Sequence, residues 1–334
     1  MRPQFLSILA LCPLSQAYGA VGHRTIGYLA EKWLTETATQ IFTEILANDR
    51  GFDFSDAAVW ADKIRDRDSL PWNTGPWHFV NNLSDDPPNN ICGISWADCP
   101  ADEGCILSAI VNQVRPPPLP LFLPFPLPLP TNDRSQTQIL QNPSLDPILR
   151  KNATMFLFHF IGDLHQPLHT VGFDRGGTRT KPVCWDTPSE PCHGGLHLHS
   201  VWDRHIIHKQ RGIPISLSRP EWVAEKAAAK PWAEELYAQQ QDEGVECEKS
   251  GRSLEGDVIK WAGEVNKYAC EAVYKRGVRW IKEHDLSEEY YEENKELVER
   301  LVAKAGLRLG CWLNSIAEFL SSGKEGGVGV HGDL

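Results

Sequence analysis

One stretch constrains the fold more than any other: Phe158-His159-Phe160-Ile161-Gly162-Asp163-Leu164-His165-Gln166-Pro167-Leu168-His169. Asn152 to Leu164 reads as a helix that is apolar almost all round (Met155, Phe156, Leu157, Phe158, Phe160, Ile161, Leu164), the pattern of a helix inside a core. It nevertheless carries His159 and Asp163, whose four-residue spacing stacks imidazole and carboxylate on one face. Pro167 cannot continue the helix, so His169 arrives from another direction. A core helix holds ionisable groups only when they are hydrogen-bonded, paired or bound to a metal. Hydrogen bonding alone and cation binding both satisfy this segment taken by itself.

With 334 residues, 41% of them hydrophobic, the chain has enough material for one large domain or two small ones. Two methionines against twelve tryptophans point to a rigid, aromatic interior. A net charge of −11 argues against broad electrostatic binding to duplex nucleic acid. Nucleic-acid chemistry on such a chain requires metal ions and a few arginines to neutralise phosphate locally.

Arg2, the apolar run Phe5 to Leu14 and then Ser15-Gln16-Ala17 have the three parts of a secretory signal, residues 1–17, cleaved after Ala17. The alternative is an ordinary N-terminal strand. Cleavage makes Tyr18 the mature N-terminus and removes Cys12, leaving eight of the nine cysteines in an oxidising compartment. No other run is long and apolar enough to span a bilayer, so a secreted protein without membrane association is expected. Cys92, Cys99 and Cys105 share one loop, Cys184 and Cys192 bracket another, and no CxxC pair exists. Disulfides fit better than zinc–thiolate ligation.

Helical periodicity runs from Thr25 to Trp33 and over 36–46. Ser55 reads as the N-cap of a helix carrying Val59, Trp60 and Ile64. Residues 83–104 read as an irregular loop, and helical patterns return at 199–208, 219–241, 253–283 and 287–322. Alternating strands are scarce, so the class is all-α, with 18–322 as one domain and 323–334 as a flexible tail. Arg115 to Pro130 does not belong, because proline at nearly every second position forbids helix or central strand. We read 114–136 as a retained intron, an in-frame block of 23 residues. Val114-Arg115 can be encoded as GTGCGT, and the Pro/Leu/Phe run is what a pyrimidine-rich tract gives in translation. Thr131-Asn132 can be read as ACTAAC, and Gln136 can end in CAG. Excision joins Asn112-Gln113 to Thr137 and creates an Asn-Gln-Thr glycosylation sequon. The competing reading is a polyproline arm for a partner.

His199 and Asp203 repeat the His-x-x-x-Asp spacing. Trp60-Ala61-Asp62, Trp77-His78-Phe79 and Gly22-His23 add further ligand-type residues, while His193 and His197 read as loop or surface histidines. Together His23, His78, His159, His169, His199, Asp62, Asp163 and Asp203 form a donor set suited to zinc rather than to calcium or magnesium.

These signposts resemble the fungal zinc-dependent single-strand nucleases of S1/P1 type. The matching pieces are Tyr18-Gly19-Ala20-Val21-Gly22-His23, Trp60-Ala61-Asp62, His78-Phe79, His159-Phe160-Ile161-Gly162-Asp163, Gln166-Pro167-Leu168-His169 and Leu198-His199-Ser200-Val201-Trp202-Asp203, in order across 18–320. The resemblance implies a single all-α domain of phospholipase C/P1 nuclease type with three zinc ions in a cleft. One ion would take Asp62, His78, His159 and Asp163. A second would share Asp163 and take His23 with the amine and carbonyl of Tyr18. A third would take His169, His199 and Asp203. The implied reaction is hydrolysis of single-stranded DNA and RNA to 5′-phosphorylated products, with 3′-nucleotidase action on nucleotides, by a monomer. Asp62 and Asp163 serve it as ligands, Arg65 contacts phosphate, and Phe79 stacks on a base. Two departures stand out: Tyr18 replaces a tryptophan, and Asn81 replaces an aspartate at the base edge, putting base preference in question. By the same resemblance Cys92 pairs with Cys270 and Cys99 with Cys105. Loop proximity pairs Cys184 with Cys192, which leaves Cys247 with Cys311. Asn82 and Asn152 open glycosylation sequons. The rival functions are a zinc phospholipase C and a non-catalytic secreted zinc binder.

Overall fold

The computed structural model describes residues 18–46, 52–65, 74–111, 136–186, 196–214, 221–247 and 253–322. Among them every regular element is a helix or a short helical turn, and the only strand-like pairings are two isolated bridges. The class is all-α, as read. In chain order the α-helices are α1 (Gly19–Trp33), α2 (Glu36–Leu46), α3 (Phe54–Ala58), α4 (Trp60–Ile64), α5 (Ile106–Val111), α6 (Gln136–Leu140) and α7 (Pro147–Leu164). They continue with α8 (Leu198–Ser200), α9 (Ile206–Gln210), α10 (Glu221–Asp242), α11 (Leu254–Tyr268), α12 (Gly277–Glu283) and α13 (Glu289–Ser321). The leader 1–17, residues 114–135 of the expected insert and the tail 323–334 lie outside the described residues.

The apolar helix is α7, and every residue from Ala153 to Leu164 is buried. It begins five residues earlier than the apolar pattern indicates, at Pro147 rather than Asn152. Asp146 explains the difference: its side chain accepts from the Ile148 amide at 2.7 Å, and Pro147 suits the first helical position. Helices α1 to α6 and α13 pack around α7, while α1 lies also against α10 and α13. The α1–α13 contact is close because α13 presents glycines to it. A Cβ on Gly310 would stand 2.6 Å from Trp33 Cβ, and one on Gly306 would stand 2.7 Å from Leu29 Cγ. Leu29, Phe158, Phe160, Trp202 and Tyr290 are fully buried in the resulting core. The helix at Phe54 is capped by Asp53 rather than Ser55: the Asp53 carboxylate accepts from the Asp56 amide at 3.0 Å and closes a capping box. Ser55 lies inside that helix and donates to Asp53 at 2.6 Å. The expected helices at 199–208 and 253–283 are each interrupted by a wider turn, Val201–His205 and Ala269–Val273. Gly277, at φ 76°, opens α12 after the second of these.

Disulfides join Cys92 to Cys270, Cys99 to Cys105 and Cys247 to Cys311. Cys184 is also disulfide-bonded, and Cys192 lies outside the described residues. Thr137, at the far edge of the expected insert, donates its hydroxyl to the Ile110 carbonyl at 2.7 Å and accepts from Trp312 Nε1 at 3.0 Å.

Arg24 of α1 and Lys226 of α10 both reach Asp56 at 2.7 Å, tying three helices together. Burial alone would raise the Asp56 pKa, but the hydrogen bonds from Lys226 and Arg24 hold it down at about 2, below the ordinary 3.8. A depressed carboxyl pKa stabilises the fold above the unfolded value, and that contribution is lost as pH falls through the folded one. Asp56→Asn should therefore cost about 1–2 kcal/mol at neutral pH, after discounting for partial exposure. Urea titrations at a series of pH values should show the gap between variant and parent closing between about pH 4 and pH 2. A gap that persists unchanged to pH 2 would contradict the assignment.

Candidate metal centre

Three groups of ligand-type atoms meet in the core: His23, His159 and Asp163; Asp62, His78 and His159; His169, His199 and Asp203. Within each group the atoms lie within 4.8 Å of one another. His159 and Asp163 come from α7, His23 from α1 and Asp62 from α4. His78 and His169 close two short turns, Gly75–His78 and Pro167–His169. His199 lies on α8, and Asp203 follows in the wider turn that leads into α9. That turn keeps Asp203 Oδ2 at 3.1 Å from His199 Nε2, as a regular four-residue spacing would.

Asp163 stands between two groups with its oxygens divided. Oδ1 lies 3.2 Å from His23 Nε2, whereas Oδ2 lies 2.9 Å from His78 Nδ1 and 3.2 Å from His159 Nε2. Asp62 Oδ1 completes the second group at 3.4 Å from His159 Nε2. His23 and His159 stack with ring centroids 4.0 Å apart, and this approach needs a glycine. A Cβ on Gly162 would meet His23 Nδ1 at 2.8 Å.

Three of the histidines are oriented from behind by backbone. Nδ1 of His159 donates to Ala58 O at 2.7 Å, that of His169 to His78 O at 2.7 Å, and that of His199 to Gly176 O at 2.6 Å. These bonds place the proton on Nδ1 and leave the Nε2 lone pair facing carboxylate oxygen. A lone pair against a carboxylate in a water-free site is repulsive unless a proton or a cation lies between them. The neighbouring charges act in the same sense. Although burial opposes it, Asp163 and Asp62 push the His159 pKa well above its ordinary value, and Asp203 raises that of His199. Against burial, His159 and His169 hold the Asp163 carboxyl well below the usual range. Burial drives His169 down to about 4 and lowers His78.

The residues fit a metal. Buried His23 Nε2, His169 Nε2 and Asp163 Oδ1 have no hydrogen-bond partner among the described residues, and imidazole with carboxylate is a donor set that zinc accepts. Gln166, part of a matching motif to which the residues alone assign no role, orients Asp203. Its Nε2 donates to Asp203 Oδ1 at 2.5 Å, and its Oε1 accepts from the Leu168 amide at 2.5 Å.

The remaining expected residues lie around this centre. Tyr18 is fully buried ahead of α1; its hydroxyl donates to His165 O at 2.5 Å, and its carbonyl accepts from the Gly22 amide at 3.1 Å. Arg65 follows α4 directly, is half-buried, and its charge acts on His199. Phe79 and Asn81 are half-buried on the segment after His78, which is tied to His169 by Val80 N to His169 O at 2.9 Å. His197 is a half-buried cap of α8, accepting from the Ser200 amide at 3.1 Å, and His193 lies outside the described residues. Asn82 and Asn152 are both half-buried.

Gly162→Ala should displace His23 and lower bound zinc by about one ion per chain while leaving the His169–His199–Asp203 group loaded. Elemental analysis alongside far-UV circular dichroism checks this. Full zinc content in the folded variant would rule out a tight His23–Asp163 site.

The family model described as S1/P1 Nuclease matches residues 18–115 and 133–318. Nuclease S1 of Aspergillus oryzae is 31% identical over 326 residues, covering 95% of this chain and 98% of the relative. Nuclease P1 of Penicillium citrinum is 29% identical over 310 residues, covering 90% and 97%. Endonuclease 4 of Arabidopsis thaliana is 27% identical over 339 residues, covering 98% of each.

Proposed function

The chain belongs to the S1/P1 nuclease family, and on that footing we propose that it is a secreted zinc nuclease that hydrolyses single-stranded DNA and RNA to 5′-phosphorylated products. The same site would remove 3′-phosphates from nucleotides. The observation that carries the reading is the divided carboxylate of Asp163, which faces His23 on one side and His78 with His159 on the other. A carboxylate presenting one oxygen to each of two donor groups is suited to holding two cations side by side.

Asp62, His78, His159 and Asp163 would hold one ion, His23 and Asp163 a second, and His169, His199 and Asp203 a third. The main-chain amine and carbonyl of Tyr18 complete the second site once cleavage after Ala17 frees that amine. The Tyr18 hydroxyl bond to His165 O then fixes the new terminus. Zinc bound at these sites supplies Lewis acidity and a water of lowered pKa. The chain's own residues do the rest. Burial of the ligands keeps bulk water from competing. The Arg65 guanidinium offsets charge on the phosphoryl oxygens as they become more negative. Phe79 offers a face for an unstacked base, which a paired duplex cannot supply. Asn81 both donates and accepts at the base edge, so it discriminates among bases less sharply than a carboxylate would. No side chain is required to act as general base. The enzyme acts as a monomer, and no described helix is long and apolar enough to cross a membrane.

Asp163→Asn should abolish single-strand cleavage and lower zinc content, because one neutral amide cannot replace a carboxylate shared by two ions. EDTA should do the same reversibly, with activity restored by zinc. Full turnover by Asp163→Asn would defeat the bridging role. Release of head groups from phosphatidylcholine without strand cleavage would favour the phospholipase reading, and zinc binding without any turnover a non-catalytic one.

Residues 114–136 are part of this proposal: the working enzyme lacks them. The family model leaves 116–132 unmatched. In a chain joining Gln113 to Thr137, Thr137 would follow Ile110 by four residues. The Thr137 hydroxyl bond to Ile110 O, 2.7 Å, is then the bond a helical threonine makes to the preceding turn. Helices α5 and α6 would run on as one. Mass spectrometry of the natural secreted protein should find glycosylated Asn112 followed by Gln113-Thr137. A tryptic peptide spanning Pro116 to Pro130 would end the idea.

A further inference from the structure

Between Arg175 and Trp185 the chain reads Arg-Gly-Gly-Thr-Arg-Thr-Lys-Pro-Val-Cys-Trp, with three cations and no acid in a protein of net charge −11. Arg175, Arg179 and Lys181 are exposed, and no ion pair engages them among the described residues. Elsewhere several cations are neutralised locally, as Arg276 is by Glu289 and Glu293 and Arg279 is by Glu283.

This segment is fastened to the His169–His199–Asp203 group rather than hanging free. The Gly176 carbonyl takes the His199 Nδ1 proton at 2.6 Å, and the Leu198 amide donates to Thr180 O at 3.0 Å. On the other side Gly176 sits against the Leu168 carbonyl so tightly that a Cβ would collide with it, and Leu168 precedes His169. Four consecutive residues, Asp174, Arg175, Gly176 and Gly177, take left-handed angles of φ 49°, 53°, 60° and 77°. Asp174 is the acid nearest the three cations in sequence, and its carboxylate accepts from the Thr180 hydroxyl at 2.6 Å within the loop. The conformation thus occupies Asp174 internally and leaves Arg175, one residue from the carbonyl that holds His199, in solvent. Lys181 acts electrostatically on His197, whose ring lies 6.1 Å from that of His199.

We propose that the loop from Arg175 to Lys181 is a polynucleotide-backbone subsite, in which Arg175, Arg179 and Lys181 engage phosphates that flank the one being cleaved. The proposal rests on the nuclease reading above and deepens it: the loop adds affinity for a polymer and none for a substrate too short to reach it. An acidic protein repels a polyanion at long range, so capture depends on a few cations placed next to the site.

The test compares the full chain with the variant Arg175→Asn/Arg179→Gln/Lys181→Gln, asparagine being chosen because it tolerates left-handed angles. Binding of a fluorescent, cleavage-resistant phosphorothioate oligothymidylate 20-mer is followed by anisotropy from 50 to 200 mM NaCl. Loss of three phosphate contacts should make the slope of log K against log salt shallower by about 2, at about 0.7 per contact on a single strand. The affinity at 50 mM should fall roughly 10-fold or more. For the cleavable 20-mer kcat/KM should fall in parallel, while that for a dinucleotide stays within about twofold, since a single internal phosphate leaves the loop nothing to hold. The variant Arg179→Gln/Lys181→Gln, at ordinary backbone angles, should give about two-thirds of the slope change and guards against misfolding at Arg175. Unchanged slopes in both variants, or an equal loss on the dinucleotide, would overturn the proposal. If the parent chain binds with the full slope but cleaves no single strand, the subsite stands and the nuclease reading falls.

Discussion

His159, His169 and His199 each commit an Nδ1 proton to a backbone carbonyl, so that the inner edge of each ring is a lone pair turned toward Asp62, Asp163 or Asp203. In water such an arrangement would be harmless. Inside a helical core, where the effective dielectric is low, it is held apart only by whatever positive charge occupies the space between. Unpaired buried carboxylates cost several kcal/mol each. The fold and its cation therefore form one thermodynamic object: metal binding is part of folding free energy, and acid that protonates the ligands removes both. The raised pKa of His159 and the lowered pKa of Asp163 express the same demand with protons in place of metal.

The irregularities of the helical scaffold follow from the same demand. A carbonyl inside a regular helix already accepts from the amide four residues on and lies along the helix axis, so it is poorly placed to orient an imidazole from another element. Ala58 is free to accept from His159 because the helix breaks at Val59 and restarts as α4. His78 ends its short turn, and its carbonyl meets His169. Gly176 belongs to a loop of left-handed residues that brings its carbonyl to His199. Three interruptions in otherwise helical structure each deliver one acceptor to one ligand. The glycines work in the opposite sense, with Gly162 admitting His23 to within stacking distance of His159.

What the sequence made legible was whatever side chains alone determine. An apolar stripe that closes round a helix while carrying His159 and Asp163 marks a buried ligand pair without further help. The all-α class likewise follows from periodicity. What it concealed lies in the backbone. Nothing in the residue string marks Ala58, His78 or Gly176 as acceptors, because carbonyls are common to every position. Ser55 and Asp53 are both good caps, and only the reciprocal bond to Asp56 selects between them. The wider turns at Val201–His205 and Ala269–Val273 insert one residue into a helical repeat without disturbing its composition. Gln166 was visible as part of a motif, yet its bond to Asp203 depends on the turn at Pro167.

Charge closes the account of how an acidic protein handles a polyanion. The inner surface of the centre carries Asp62, Asp163 and Asp203, and without cations it repels phosphate as the rest of the molecule does at net −11. Three divalent ions against three carboxylates and neutral imidazoles would reverse that sign and leave the loaded centre net positive. The reversal is local, because screening at physiological ionic strength confines it to about 8 Å in solvent. Within that radius, on the proposed reading, the metals and Arg65 would act on the phosphate being cleaved. Outside it the protein's own surface must supply the counter-charge, residue by residue, for any longer strand.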